Sequence, residues 1–120
     1  MAQTVMIVDD SLFMRNILRG IVKEKGYVVV AEAGSGIEAM KNLHTHNPDL
    51  ILLDIILPDS NGLDLLESII RARPQASVVA CSAIGQEQII QKALDLGAKA
   101  FIQKPFTPEK VIETLESLGE

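Results

Sequence analysis

The sequence predicts an α/β fold, a doubly wound parallel sheet of five strands with helices on both faces. Short β-type apolar runs alternate with helical patterns five times along the chain, and no repeat, low-complexity tract or linker interrupts them. The length of 120 residues also fits one domain, because a chain of this size buries roughly two-thirds of its unfolded surface on folding. We therefore expect a single domain over residues 1–120.

Five apolar runs are typical of β-strands. The third run is apolar at every position instead of alternating, which indicates a strand buried on both faces at the centre of the sheet. Asp54 follows this run directly, so its carboxylate should lie at the middle of one sheet edge. The predicted strands are Thr4 to Val8, Val28 to Glu32, Leu50 to Leu53, Ser77 to Cys81 and Ala100 to Gln103.

Capping residues and apolar periodicity predict a helix after each strand. The clearest start is Ser35-Gly36-Ile37-Glu38, which has the form of a capping box. The predicted helices begin after Ser11, at Ser35, at Asn61-Gly62, at Gln86 and at Thr107-Pro108; the first four end at Gly26, before Asn47-Pro48, at Pro74 and at Leu96.

Apolar stripes along three of these helices should form their core faces. The stripes are Phe13, Ile17 and Ile21 on the first helix, Leu63, Leu66 and Ile70 on the third, and Val111, Leu115 and Leu118 on the fifth.

The composition disfavours several classes of partner. A net charge of -5 argues against attraction to nucleic acid or anionic membrane, because such binding requires clustered Lys and Arg. No apolar stretch approaches the roughly 20 residues that span a bilayer, and the amino terminus has no signal-peptide pattern, so we expect a cytoplasmic protein.

Cys81 lies within an apolar run and should be a buried thiol.

Charged residues stand where apolar runs stop. Asp9 and Asp10 end the first run, Asp54 ends the third, and Lys104 ends the fifth. Because ligands of open α/β sheets bind at the carboxyl ends of the strands, these residues should converge there although they are distant in sequence. The pattern predicts three carboxylates opposite one ammonium group.

Such a cluster indicates a divalent cation. Two carboxylates about 4 Å apart repel each other by roughly 4 kcal/mol at an effective dielectric near 20, and a bound cation removes this conflict. Oxygen ligands favour Mg²⁺, whereas Zn²⁺ prefers Cys and His. His44 and His46 lie near a polar helix end and should be solvated surface residues.

A carboxylate beside Mg²⁺ and across from a lysine can attack phosphorus, because the metal and the ammonium group neutralise charge on the transferred group. Asp54 is the predicted nucleophile because it ends the central strand alone, whereas Asp9 and Asp10 form a metal-holding pair. Ser82, the first polar residue after the fourth apolar run, should donate its hydroxyl to a phosphate oxygen.

Four segments carry a resemblance to a known family. They are VDDS, DIILPDSNG, CSAIG and FIQKPF, which begin at Val8, Asp54, Cys81 and Phe101. With them the whole chain resembles the receiver domain of two-component response regulators, and it is most similar to stand-alone chemotaxis receivers of the CheY-like type. The resemblance implies a flavodoxin-like (βα)5 fold with strand order 2-1-3-4-5, for which CheY itself is a standard example.

The resemblance also implies a role for each site residue. Asp54 would be the phosphoacceptor, and Mg²⁺ would be held by Asp9, Asp10, Asp54 and the main-chain carbonyl of Ile56. Ser82 and Lys104 would contact the phosphate, Ser82 and Phe101 would form a conformational switch, and the bond before Pro105 is commonly cis in such domains.

Two positions depart from the usual pattern. Ile56 and Ile84 stand two residues after Asp54 and after Ser82, where many receivers place polar groups that orient an attacking water. We therefore hypothesise slow self-hydrolysis of the phosphoryl group and the involvement of an external phosphatase.

Together these features predict a phosphoaccepting signalling switch, whose enzymatic role is limited to promoting its own phosphorylation and slow dephosphorylation. A sensor histidine kinase would supply the phosphoryl group, and a protein target would bind the modified domain. The resemblance to chemotaxis receivers implies that this target is the flagellar motor switch. We expect a monomer with no nucleic-acid or membrane partner. The chain ends about two residues after its last helical stripe, so we expect a stand-alone receiver.

Three alternatives stay open. The chain could be the excised N-terminal receiver of a transcription factor or methylesterase, which a longer gene would establish. A Mg²⁺-dependent aspartyl-phosphate phosphatase is disfavoured, because Ile56 stands where the second acid of a D-x-D motif belongs. A phosphate-independent pseudo-receiver is disfavoured because every acidic residue of the pocket is present.

Overall fold

The computed structural model describes residues 3–83 and 86–118. Strands and helices alternate through these residues as the sequence predicts. In chain order they are β1 (Thr4–Val8), α1 (Leu12–Glu24), β2 (Val28–Ala33), α2 (Gly36–His46), β3 (Leu50–Asp54), α3 (Gly62–Ala72), β4 (Ser77–Ser82), α4 (Glu87–Asp95), β5 (Ala100–Gln103) and α5 (Pro108–Leu118).

The strands of the described ranges form one parallel sheet in the order β2-β1-β3-β4-β5. This arrangement confirms the predicted doubly wound α/β fold and its strand order. Every residue of β3 is buried, as the uninterrupted apolar run indicated for a central strand. None of the helices in the described part of the chain is long and apolar enough to cross a bilayer.

The sheet has a hydrophobic core on each face. One core packs β-strand side chains such as Met6 and Ile51 against α2 and α3, and the other packs Ile7 and Leu52 against α1 and α5. Alternate side chains of a strand point to opposite faces, so the central strands supply both cores. Packing on both faces holds the central strands in place, and with them the charged residues at their carboxyl ends.

The core face of α1 differs in part from the predicted one, of which only Ile21 packs against the core. Phe13 is 73% exposed and Ile17 is 37% exposed, whereas Leu18 and Val22 are buried. Met14, Leu18 and Val22 repeat at the same four-residue spacing as the predicted stripe, so periodicity could not decide between two adjacent faces. On α3 the prediction was partly wrong in the same way, because Leu65 and Ile69 are buried while Leu63 and Ile70 are only half-buried.

Two strands extend one residue beyond their predicted ends in a way that matters for the site. Asp54 pairs with Cys81 in the β3–β4 ladder, and Ser82 pairs with Gln103 in the β4–β5 ladder. Asp54 and Ser82 are therefore the last residues of their strands, held by main-chain pairing, rather than the first residues of flexible loops.

Candidate functional site

Asp9 lies at the carboxyl end of β1 and is held from several sides. Its main-chain N–H donates to the carbonyl of Ala33 at 3.0 Å. Its Oδ1 accepts from the N–H of Ser11 at 2.9 Å, and its Oδ2 accepts from Lys104 Nζ at 2.8 Å. With only 2% of its surface exposed, Asp9 is fixed by the fold.

Asp54 shares the ammonium group of Lys104 with Asp9. Lys104 Nζ donates to Asp54 Oδ2 at 2.9 Å, and the main-chain N–H of Ile56 donates to Asp54 Oδ1 at 2.9 Å. Asp54 is 7% exposed. A buried carboxylate requires such partners, because an unpaired buried charge is strongly disfavoured.

Asp10 completes the acidic group and is exposed to solvent. One carboxylate oxygen from each of Asp9, Asp10 and Asp54 lies within 4.8 Å of the others. All-oxygen donors at this spacing, with one carboxylate open to water, fit Mg²⁺, which keeps several waters in its coordination shell. A bound Mg²⁺ would supply positive charge that stabilises the charge on a phosphoryl group.

The electrostatics of Asp54 and Lys104 agree with a binding site for Mg²⁺. Burial raises the pKa of Asp54 above its ordinary value, and the neighbouring Asp9 adds to the rise, although the Ile56 amide and Lys104 oppose it. Burial lowers the pKa of Lys104, but the hydrogen bonds and charges of Asp9 and Asp54 raise it more, so the net shift is upward. Lys104 therefore keeps its positive charge. The negative charge of ionised Asp54 is compensated only in part by the neighbouring Lys104 and the Ile56 amide.

A cleft of about 340 Å³ opens onto these carboxylates. Its lining combines acidic, basic and apolar groups: Asp10, Asp54, Ile56, Leu57, Pro58, Ala83 and Lys104. Ile56 is 48% exposed at the edge of this cleft. A phosphoryl group bound to Asp54 would lie among these side chains.

The remaining residues singled out from the sequence lie nearby or outside the described ranges. Ser82 is fully buried at the end of β4. Phe101 is half-buried and packs against the core on the α2 and α3 side of the sheet. The Lys104–Pro105 peptide bond is cis. Ile84 lies outside the described residues.

Two residues that the sequence did not single out make main-chain contacts among the segments that follow the strands. Arg15 Nη1 donates to the main-chain carbonyl of Asp9. Asp59, in the loop between β3 and α3, accepts from the N–H groups of Gly36 and Ile37 at 2.8 and 3.3 Å. The sequence contains no signal for either contact, because each one depends on how the segments at this end of the sheet pack together.

Asp59 is bound at the positive end of a helix. The two N–H groups that it accepts from begin α2, where main-chain N–H groups have no partner within the helix. These bonds hold the pKa of Asp59 below its ordinary value. A Cβ at Gly36 would lie 2.1 Å from Ser60 Oγ, so only glycine allows this close docking of the loop on α2.

Comparison with known proteins identifies the family. The model of the response regulator receiver domain matches residues 5–116, and the chain belongs to this family. It is 40% identical to the chemotaxis protein CheY of Thermotoga maritima over 120 residues, which covers all of both chains. It is 45% identical to CheY of Listeria monocytogenes over 116 residues, 97% of this chain and 98% of that one.

A solved structure agrees with both fold and family. The fold superimposes with a TM-score of 0.95 and 35% identity on a chain of the CheX–CheY–BeF3–Mg complex from Borrelia burgdorferi, covering 98% of this chain and 90% of that chain. The predicted resemblance to receiver domains of the CheY-like type is thus confirmed. The chain is a two-component receiver domain similar to chemotaxis regulators, and its acidic cluster matches a family that binds Mg²⁺ in such a pocket.

Proposed function

We propose that this chain, over residues 1–120, is a phosphorylation-controlled binding switch. Asp54 takes a phosphoryl group from the phosphohistidine of a sensor histidine kinase in the presence of Mg²⁺, and the modified domain changes its affinity for a protein target. The observation that carries this proposal is the convergence of Asp9, Asp10, Asp54 and Lys104 from three strand ends onto one cleft.

In the transfer step, a carboxylate oxygen of Asp54 forms a bond to phosphorus while the bond between phosphorus and the histidine nitrogen breaks. The electron pair of that bond leaves with the imidazole, which is a good leaving group. Lys104 is within reach of the Asp54 carboxylate and would neutralise charge on the phosphoryl oxygens. Asp9, Asp10, Asp54 and the Ile56 carbonyl would hold Mg²⁺ beside the same oxygens.

The switch would operate through Ser82 and Phe101. A phosphoryl group on Asp54 would attract the Ser82 hydroxyl, and the space that Ser82 vacates would allow Phe101 to move further inward. Phosphate shifts this equilibrium only if it binds the inward state more tightly than the outward one. The surface formed by α4, β5 and α5 would then be the output face.

Partners follow from this role. A sensor histidine kinase would act as phosphodonor, and the similarity to chemotaxis proteins favours the flagellar motor switch as the output target. The solved complex that pairs CheX with CheY supports the expectation that such a domain binds other proteins. We propose that the domain acts as a monomer, that an external phosphatase resets it, and that it catalyses no reaction beyond its own modification.

Labelling with a small phosphodonor tests the proposal. The protein is incubated with acetyl phosphate and Mg²⁺, and intact mass is measured. We expect a gain of one phosphoryl group that disappears in Asp54→Asn and on chelation of Mg²⁺. Asp64→Asn, an exposed acid on α3, is the matched control and should be labelled normally. Undiminished labelling of Asp54→Asn would refute the assignment of the nucleophile.

A further inference from the structure

We propose that Arg15 is a positioning residue for the acidic pair Asp9 and Asp10, an inference that rests on the proposed function. Arg15 Nη1 donates a hydrogen bond of 2.5 Å to the main-chain carbonyl oxygen of Asp9. Hydrogen bonds from a charged donor are shorter and stronger than neutral ones. Arg15 thus binds the main chain between the two acids rather than either carboxylate.

The contact matters most for Asp10. The Asp9 side chain is already held by Ser11 and Lys104. Within the described residues, no hydrogen bond or ion pair holds the Asp10 side chain, which is exposed. The Asp9 carbonyl and the N and Cα atoms of Asp10 belong to one planar peptide group, so the bond to Arg15 restrains the position of Asp10 Cα, from which the Asp10 side chain extends.

Arg15 is itself held in place by a charged partner. Its Nε donates to Glu32 Oε1 at 3.2 Å, and the Arg15 side chain is 17% exposed. Glu32 also accepts from Arg19. A Cβ at Gly34 would lie 3.2 Å from Arg15 Nη1, so the glycine leaves room for the guanidinium. Arg15 is therefore anchored at two points, as a residue that orients a metal ligand must be.

Two effects of Arg15 on Mg²⁺ affinity oppose each other. Its positive charge would repel the cation, and Glu32, which pairs with both Arg15 and Arg19, offsets part of that charge at short range. In the described part of the chain, no other hydrogen bond or ion pair holds the Asp10 side chain if the bond from Arg15 is lost. Loss of a partner that orients a metal ligand typically weakens metal affinity 10–100-fold, so we expect the orienting effect to dominate.

The test compares Arg15→Ala with Arg19→Ala by calorimetric titration with Mg²⁺. Arg19 pairs with the same Glu32 but, among the described residues, makes no hydrogen bond or ion pair with Asp9, so its variant is the matched control. We expect the Mg²⁺ dissociation constant to rise about tenfold in Arg15→Ala and less than twofold in Arg19→Ala. Wild-type affinity in Arg15→Ala, or an equal loss in Arg19→Ala, would overturn the inference.

A second variant covers the case in which Arg15→Ala does not fold. Arg15→Lys keeps the charge, but an ammonium group cannot reproduce the planar fork that joins Asp9 to Glu32, so we expect a severalfold loss of Mg²⁺ affinity. Wild-type affinity in Arg15→Lys would overturn the inference, because the planar hydrogen-bonding fork would then not be needed to orient Asp10. Failure of the wild-type protein to bind Mg²⁺ or to be labelled would instead count against the proposed function, which separates the two outcomes.

Discussion

Lys104 Nζ lies 2.9 Å from Asp54 Oδ2, although the two residues are 50 positions apart in the sequence. The same ammonium group lies 2.8 Å from Asp9 Oδ2, so one cation compensates two buried carboxylates. The third acid, Asp10, faces solvent. The site therefore carries an excess of negative charge. Loss of Lys104 should lower the stability of the Mg²⁺-free protein, whereas loss of the Asp54 carboxylate should raise it.

Lys104→Ala should destabilise the Mg²⁺-free protein by about 2 kcal/mol, because it leaves two buried carboxylates without their cation. Added Mg²⁺ should restore much of this loss, since the metal supplies positive charge to the same oxygens. Urea unfolding with and without Mg²⁺ measures both effects. Lys99→Ala, which removes an exposed lysine, is the control and should change neither; equal destabilisation by the two variants would contradict this account.

Asp54→Asn should raise the thermal midpoint of the Mg²⁺-free protein by a few degrees at neutral pH. The folded state raises the pKa of Asp54, chiefly by burial, so ionisation of Asp54 costs stability once the pH exceeds the ordinary carboxyl pKa. Asparagine removes that cost and keeps the shape of the side chain. The advantage should shrink as the pH falls below the ordinary carboxyl pKa, because Asp54 is then protonated in both states.

Calorimetric scans at neutral and acidic pH test the effect of Asp54→Asn. Mg²⁺ should also stabilise the wild type more than this variant. At a Mg²⁺ concentration tenfold above its dissociation constant, the stabilisation of the wild type is expected to be about 1.4 kcal/mol. A variant less stable than the wild type at neutral pH would show that the carboxylate is fully compensated without a metal.

Asp59→Ala should lower the midpoint of urea unfolding at neutral pH, because two N–H groups at the start of α2 lose their acceptor. The depressed pKa of Asp59 means that its contribution is present above the ordinary carboxyl pKa and disappears as the pH falls through the folded-state value. The wild type and Asp59→Ala should therefore converge in acid. Asp59→Asn, which retains one acceptor, should lose less; a gap between wild type and Asp59→Ala that does not vary with pH would contradict the charge-based explanation.

Ile56→Asn should shorten the lifetime of the phosphorylated protein by roughly tenfold, which corresponds to about 1.4 kcal/mol in the barrier. Ile56 lines the cleft beside Asp54, and an amide at this position can orient a water for attack on phosphorus. Decay of the phosphorylated form is followed after removal of the phosphodonor. Ile56→Val is the apolar control, and a wild-type lifetime of seconds that Ile56→Asn leaves unchanged would disprove the hypothesis.

The sequence was sufficient for features that depend on a single strand or on the order of elements. The uninterrupted apolar run from Leu50 to Leu53 placed Asp54 at the centre of the sheet edge, and Asp9 and Lys104 lie beside it, as expected for residues at strand ends. The core face of α1 was predicted wrongly at Phe13 and Ile17, because Phe13–Ile17 and Met14–Leu18 have the same spacing and only the packing of α1 on the sheet distinguishes them.

The contacts of Arg15 and Asp59 lay beyond the reach of the sequence for a related reason. In each contact a side chain binds a main-chain group of another segment. Nearly every residue has such a main-chain group, so the residue type at that position does not indicate the contact. Arg15 reaches the carbonyl of Asp9, and Asp59 reaches the N–H groups of Gly36 and Ile37. Only the relative placement of the loops at the carboxyl end of the sheet reveals them.

A crystal structure with Mg²⁺ and fluoroberyllate, which imitates a phosphoryl group on a carboxylate, would test the central claim most directly. We predict beryllium bonded to an Asp54 oxygen, fluorine atoms near Ser82 Oγ and Lys104 Nζ, and Mg²⁺ ligated by the acids at the end of β1 and the Ile56 carbonyl. Fluoroberyllate on any other side chain, or Mg²⁺ bound away from Asp9 and Asp10, would contradict the account.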